Sequence, residues 1–220
     1  MSKLAGTFAV LASLTSVTGV VSAQRFAAPP PSSSSHRAAT EERALVREHL
    51  VERRAANIAS FEAYVDARSY PSNTMSRGSL NVWRDRDGHL CAAATIIDRS
   101  GAHELVKHVG DTDNNLRLAT VEDGAIEDWI LESGLTQEEL VRIQLPFQPV
   151  VERPGQPVDP DLRQAETARL SASYVTIEKE LADEQQAALD LATDRIMQHP
   201  ELAADLAYGR AETTAAVRGA

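Results

Sequence analysis

Proline limits what this chain can fold into more than any other residue, because it removes a backbone donor and interrupts helices and central strands. The ten prolines are clustered: three lie together at 29–31 and five lie between 146 and 160. Only Pro71 and Pro200 stand elsewhere. Long stretches therefore remain in which a helix can run without a break, and the two clusters predict extended segments.

The first uninterrupted stretch predicts an amphipathic helix over residues 41–68, which contain neither proline nor glycine. Thr40 is placed to cap its first turn, and the helix is expected to end before Pro71. The preceding residues 24–40 combine the first proline cluster with four consecutive serines. That composition predicts a disordered spacer.

Residues 79–97 carry the clearest β-strand pattern in the chain. Two runs with strand-like composition, 79–84 and 89–96, flank an Asp87-Gly88 pair. Asp-Gly between two apolar runs is typical of a β-hairpin turn.

A two-residue loop at this turn competes with a three-residue loop that pairs Asp85 with His89 and places Gly88 in the left-handed conformation. The second register gathers the larger aliphatic side chains of both strands on one face. Because register follows the face that must be buried, the second register is favoured. It places Trp83 opposite Cys91.

The remaining pattern predicts an α+β fold, in which a small hairpin or three-stranded sheet packs with helices and a long C-terminal helix follows. Residues 116–119 alternate and are expected to supply the third strand. Short helices are expected over 103–109 and 125–131. Thr136 and Glu139 form a capping-box pattern that predicts a further helix start.

The second proline cluster predicts a linker over 148–160, which separates an α+β domain at 41–147 from the C-terminal part. Residues 161–198 then predict one long amphipathic helix with a heptad-like, coiled-coil seam, interrupted at Glu184. The end of the chain, 199–220, is expected to be weakly helical or disordered. The seam's residues are Leu170, Tyr174, Ile177, Leu181, Ala188 and Leu191.

The start of the chain predicts a secretory signal peptide at residues 1–23, with cleavage after Ala23. A single charge, Lys3, precedes an apolar run that is too short and too rich in hydroxyl groups for a membrane span. We therefore expect an exported, soluble protein in the periplasm or outside the cell. Removal of Lys3 changes the net charge from −10 to −11.

Charge and cysteine usage exclude several functions. An acidic chain is a poor partner for nucleic acid or anionic lipid, because affinity for phosphate comes from clustered Lys and Arg. Cys91 is the only cysteine, so the fold cannot depend on an internal disulfide. Its apolar surroundings favour a buried core thiol over an intermolecular bridge or a nucleophile.

Two motifs resemble metal sites and depart from them. His103 and His108 are five residues apart, whereas the zinc-protease helix needs a spacing of four. Residues 111–122 place oxygen ligands as a calcium loop does, but Leu116 stands where the loop requires glycine. The sequence therefore predicts no metal, no cofactor and no catalytic residue.

The stretch from Leu80 to Pro146 resembles a family of uncharacterised exported bacterial proteins from myxobacteria-like organisms. The resemblance implies a shared α+β module and no activity, and it assigns no site residue. The matching segments are Leu80–Asp85, Asp87–Thr95, Asp123-Gly124, Asp128–Leu131 and Ser133–Glu139.

Two hypotheses for function remain open. The first is a non-enzymatic interaction or scaffold module that binds a protein partner through the 161–198 helix. The alternative is a ligand-binding protein or enzyme that uses the polar face of the hairpin around Trp83, His89 and Cys91. Trp offers apolar contact and His can exchange protons near neutral pH.

Overall fold

The computed structural model describes residues 33–209, and in that range the protein is helical with no β-strand. Three isolated β-bridges are the only strand-like pairings described there. No helix among these residues is both long and apolar enough to cross a bilayer. The helices are α1 Ser33–Ala67, α2 Ala92–Arg99, α3 His103–Thr112, α4 Gly124–Glu132, α5 Gln137–Ile143, α6 Pro160–Asp183, α7 Gln185–Ile196 and α8 Pro200–Tyr208.

Helix α1 begins at Ser33, so residues 33–40 of the expected spacer are helical. Thr40 lies inside the helix, where its hydroxyl donates to the carbonyl of His36 at 2.8 Å. The predicted cap is therefore wrong, because the hydroxyl bonds to the preceding helical turn instead of to a free N–H. Residues 24–32 and the expected signal peptide lie outside the described residues.

The predicted α+β fold is wrong, because the second expected strand is helix α2. The helix begins with three alanines, and alanine has the highest helix propensity of any residue type. The Cys91 thiol caps the first turn of α2 by accepting from the N–H of Ala94 at 3.4 Å. The expected third strand at 116–119 is also wrong, since Leu118–Thr120 is a turn of 3₁₀ helix.

The turn before α2 nevertheless has the predicted pairing. The N–H of Asp85 donates to the carbonyl of His89, and the N–H of Cys91 donates to that of Trp83, both at 3.0 Å. Gly88 has a φ of 86°. The pairing stops there, because the N–H of Trp83 donates to Asn114 and the next residue after Cys91 is already helical.

Three expected helices are confirmed as α3, α4 and α5. The capping box at the start of α5 is complete: the N–H of Glu139 donates to the Thr136 hydroxyl at 3.1 Å, and the Glu139 carboxylate accepts from the N–H of Thr136 at 2.8 Å.

The expected long helix 161–198 is two helices, α6 and α7, which meet at Glu184. Asp159 starts α6 by accepting from the N–H groups of Asp161 and Leu162 at 2.9 and 3.2 Å. Helix α8 follows Pro200 and ends at Gly209, whose φ is 73°. Residues 210–220 of the expected tail lie outside the described part of the chain.

Most of the seam predicted on the C-terminal helix is covered by the chain itself. Tyr174 packs against Phe61 and Tyr64 of α1, with ring centroids 5.5 and 5.7 Å apart. Leu191 is the exception, with 55% of its surface exposed. The expected linker 148–160 also contributes to the interior through the buried Val150 and Val151.

A buried ion pair fastens α1 to α5 and α6. The Arg54 guanidinium donates to both carboxylate oxygens of Glu139, at 2.9 and 2.7 Å, and the two side chains are 3% and 1% exposed. The same guanidinium donates to the carbonyls of Gly134 and Leu181. Both charges of this pair are therefore hydrogen-bonded, as a buried pair requires.

Candidate functional site

Trp83, expected on an accessible polar face, is 1% exposed. Its indole N–H donates to the carbonyl of Val106 at 3.1 Å. The ring therefore fills the core with its polar atom satisfied, and it offers no surface to a ligand.

Cys91 is also in the core, at 1% exposure. Burial raises the pKa of its thiol to about 12, against weaker opposing hydrogen bonds from Ala94 and Ala93. The nucleophilic form of cysteine is the thiolate, so this thiol is unreactive near neutral pH. Its role is to start α2.

His89 is the one member of the expected trio that reaches the surface, with a side chain 40% exposed. Its Nδ1 lies 3.2 Å from an Asp85 oxygen. With the proton on Nδ1, the ring donates to Asp85 and leaves Nε2 as an acceptor, which is the arrangement of an oriented general base. Trp83, His89 and Cys91 do not line one accessible cavity.

Asp85, Asp87 and His89 have ligand atoms within 4.8 Å of one another. The Asp85 carboxylate is, however, already saturated by the turn. One oxygen accepts from the N–H groups of Asp87 and His89, and the other accepts from the N–H of Ser72 and faces His89 Nδ1. Three backbone N–H groups, and His89 Nδ1 when it carries the proton, occupy the acceptor positions of this carboxylate, so the geometry fits a structural Asp turn better than a metal site.

The motif residues that resembled metal sites are held by other partners. Asp111 accepts from Lys107 and Arg84 at 3.0 and 2.6 Å, and these hydrogen bonds lower the pKa of its carboxyl. Leu116 is not among the described residues with positive φ, so the loop does not follow a calcium-loop path. His103 Nδ1 lies 2.8 Å from Asp98 at the surface.

An apolar depression lies between α4, α5 and α7 and has a volume of about 240 Å³. Leu131, Leu135 and Leu191 line it, together with Arg195. Arg195 is held by Glu127 at 2.7 Å and by Gln137 at 3.2 Å. The depression is smaller than most ligand pockets, which begin near ~300 Å³, and it lacks an acid–base pair.

The outer side of α1 and α6 forms a surface of different character, named here the acidic face. On α1 it comprises Ala55, Ala59, Glu62 and Asp66, which follow one helical stripe at spacings of four, three and four. On α6 it comprises Val175 and Glu178, three residues apart. Val175 is 60% exposed, the largest exposure among the exposed large apolar side chains of the described residues.

The acidic face brings three carboxylates together. Burial raises the pKa of Glu178, and the negative charges of Glu62 and Asp66 raise it further. None of the three forms a salt bridge among the described residues: Lys179, the nearest cation along α6, is paired with Asp183. The arrangement costs stability, because like charges held side by side repel.

Sequence patterns could not reveal this face, since α6 lies beside this part of α1 only through tertiary packing, such as that of Tyr174 against Phe61 and Tyr64. A hint existed in the alanines that interrupt the outer side of α1.

Comparison of the chain with protein-family models, with curated proteins and with solved structures finds no match.

Proposed function

We propose that this chain is an exported interaction module, which binds another polypeptide on the acidic face and catalyses no reaction. The observation that carries the proposal is a group of three carboxylates that have no salt bridge within residues 33–209, together with the exposed Val175. A protein that retains a destabilising arrangement at its surface commonly does so for a function that uses it.

Two further features support the proposal. The side chains best suited to chemistry, Trp83 and Cys91, are committed to the core, and Asp85 is committed to its turn. Export is supported by the signal-peptide pattern of residues 1–23, which lie outside the described part of the chain. The sequence predicted partner binding through the C-terminal helix. The present proposal places that binding on α6 together with α1.

Site-specific photocrosslinking tests the proposal. Val175 is replaced by benzoylphenylalanine in the source cells, and Leu191, similarly exposed at 55% on α7, is replaced in a matched control. We expect one polypeptide adduct of discrete mass at position 175 and none at position 191. That polypeptide, purified, must also bind the unmodified chain. No adduct at 175, or the same adduct at both positions, contradicts the proposal.

A further inference from the structure

We infer that a groove between segment 79–81, loop 115–119 and the end of α5 binds the free C-terminal end of an extended peptide. The groove has a volume of about 500 Å³, within the ~300–1,000 Å³ of ligand pockets. It shares no residue with the acidic face, so its role does not depend on the function proposed above.

Both walls of the groove are fixed by hydrogen bonds. The N–H of Leu80 donates to the carbonyl of Phe147 at 3.0 Å, and the N–H of Phe147 donates to that of Leu80 at 2.9 Å. Gln144 lines the groove and is 7% exposed. Its Oε1 accepts from the N–H of Leu118 at 2.9 Å, and its Nε2 donates to the carbonyl of Leu116 at 2.8 Å. A ligand therefore meets a groove that is already ordered, which lowers the cost of binding.

The groove contains two side-chain amides without partners. The chain has five asparagines, and those at Asn57, Asn73 and Asn114 donate to backbone carbonyls at 2.8, 2.8 and 2.9 Å. The other two, Asn81 and Asn115, both line the groove, and neither side-chain amide is hydrogen-bonded to another residue within 33–209. An amide side chain both donates and accepts, so it can pair with the N–H and C=O of a peptide backbone.

The charge of the ligand follows from Arg117, the only charged residue among those that line the groove. Its carbonyl accepts from the Thr120 hydroxyl, but its guanidinium has no ion pair or hydrogen bond in the described part of the chain. Arg117 is extended, with φ −108° and ψ 115°. Side chains two residues apart in an extended chain project to the same side, as the presence of Asn115 and Arg117 in one groove requires. A guanidinium binds a carboxylate through two parallel hydrogen bonds.

The end of a peptide carries its carboxylate directly beside its last amide, so it can meet Arg117 and Asn115 together. A phosphate monoester carries about −1.5 to −2 charges at pH 7, which a single guanidinium does not neutralise in a chain of net charge −10. The rest of the groove is apolar: Leu80, Val141 and Pro146 line it. These three side chains offer contact to an apolar side chain on the last residue of the peptide.

The test is an NMR titration of the full ¹⁵N-labelled chain, in which the side-chain NH₂ signals of Asn81 and Asn115 report on the groove directly. The probe is acetyl-Ala-Ala-Leu with a free carboxylate. One control peptide is the same sequence ending in an amide, and a second, acetyl-Ala-Asp-Ala amide, carries its carboxylate on a side chain. Arg117→Gln is the test variant. Arg153→Gln is its matched control, because Arg153 is exposed, unpaired within the described residues and outside the groove.

We expect saturable shifts of both asparagine signals, and a Kd about tenfold lower for the free carboxylate than for either amidated peptide. Arg117→Gln should abolish this difference and Arg153→Gln should preserve it. The remaining signals of Arg117→Gln must coincide with those of the parent, which excludes misfolding as the cause.

Three outcomes overturn the inference: no saturable shift of the asparagine signals, equal affinity for the carboxylate and its amide, or equal affinity for the aspartate peptide. Asn81→Ala gives a further check, because its amide is assigned to the peptide backbone. That variant should weaken the free and the amidated peptide by the same factor, and an unchanged Kd for both contradicts the assignment.

Discussion

At the scale of single residues, Gly134 shows how closely the helices approach. It has a φ of 75° and sits in the turn between α4 and α5, against α1. A Cβ atom there would lie 2.2 Å from the carbonyl oxygen of Leu50 and 2.8 Å from the N–H nitrogen of Arg54. Gly134 therefore sets how closely the turn between α4 and α5 approaches α1.

Gly134→Ala is expected to lower the free energy of unfolding by about 3 kcal/mol or more, because the new methyl group meets backbone atoms that cannot move aside. Gly155→Ala is the control, since Gly155 has a φ of 83° and a Cβ added to it would meet no atom within 4 Å. It should cost only about 1 kcal/mol for the backbone conformation. Urea denaturation measures both. Equal losses would show that φ alone matters at Gly134.

At the scale of elements, the sequence correctly predicted helix starts and turns that neighbouring residues determine by themselves. The start of α5 was predictable because Thr136 and Glu139 satisfy each other's backbone groups. The turn at Gly88 was predictable because glycine readily adopts the positive φ that the three-residue loop requires. Helix α2 was not: it is eight residues long and buried nearly all round, and a short buried helix has the same apolar pattern as a buried strand. Only the alanine run favoured a helix.

The Arg54–Glu139 pair joins three of these elements, and breaking it from one side should be costly. Arg54→Met leaves a buried carboxylate without its cation and is expected to cost about 3–5 kcal/mol. The double variant R54M/E139Q should recover much of that loss, because no charge is left buried and the amide oxygen can still accept from the N–H of Thr136. Denaturant midpoints of the two singles and the double give the coupling energy.

Arg47→Met serves as the comparison for that cycle, since its partner Asp190 is 64% exposed. An exposed pair contributes about 0–1 kcal/mol, so the loss should be small. A loss at Arg54 no larger than the loss at Arg47 would mean that the buried pair does not hold α1 to α5 and α6.

At the scale of the whole molecule, the acidic face depends on contacts that no local pattern encodes. Glu178 is separated from Glu62 and Asp66 by more than one hundred residues in sequence and approaches them only because α6 packs on α1. The same packing covers most of the heptad-like seam on the helix through which a partner was expected to bind. The prediction of an interaction module therefore now rests on a different surface.

The raised pKa of Glu178 predicts how this face affects stability with pH. A carboxyl whose pKa is higher in the folded than in the unfolded state destabilises the fold once it is ionised. The penalty is absent below the unfolded pKa and complete above the folded one. Glu178→Gln should therefore raise the urea midpoint at pH 7 relative to the parent, and the two proteins should converge as the pH falls below about 4. An unchanged midpoint at pH 7 contradicts the assignment of repulsion to this carboxyl.

The packing of α1 against α8 affects how long the apolar side of α1 stays uncovered during synthesis. Val46 and Leu50 of α1 share a cluster with Leu206 of α8, so the two ends of the described chain cover each other. A chain that emerges with its N-terminal side first presents Leu50 about 150 residues before Leu206. At ~5–20 residues per second of synthesis, the apolar side of α1 remains without its contact to α8 for roughly 8–30 s. During that interval the protein depends on whatever else keeps α1 from aggregating.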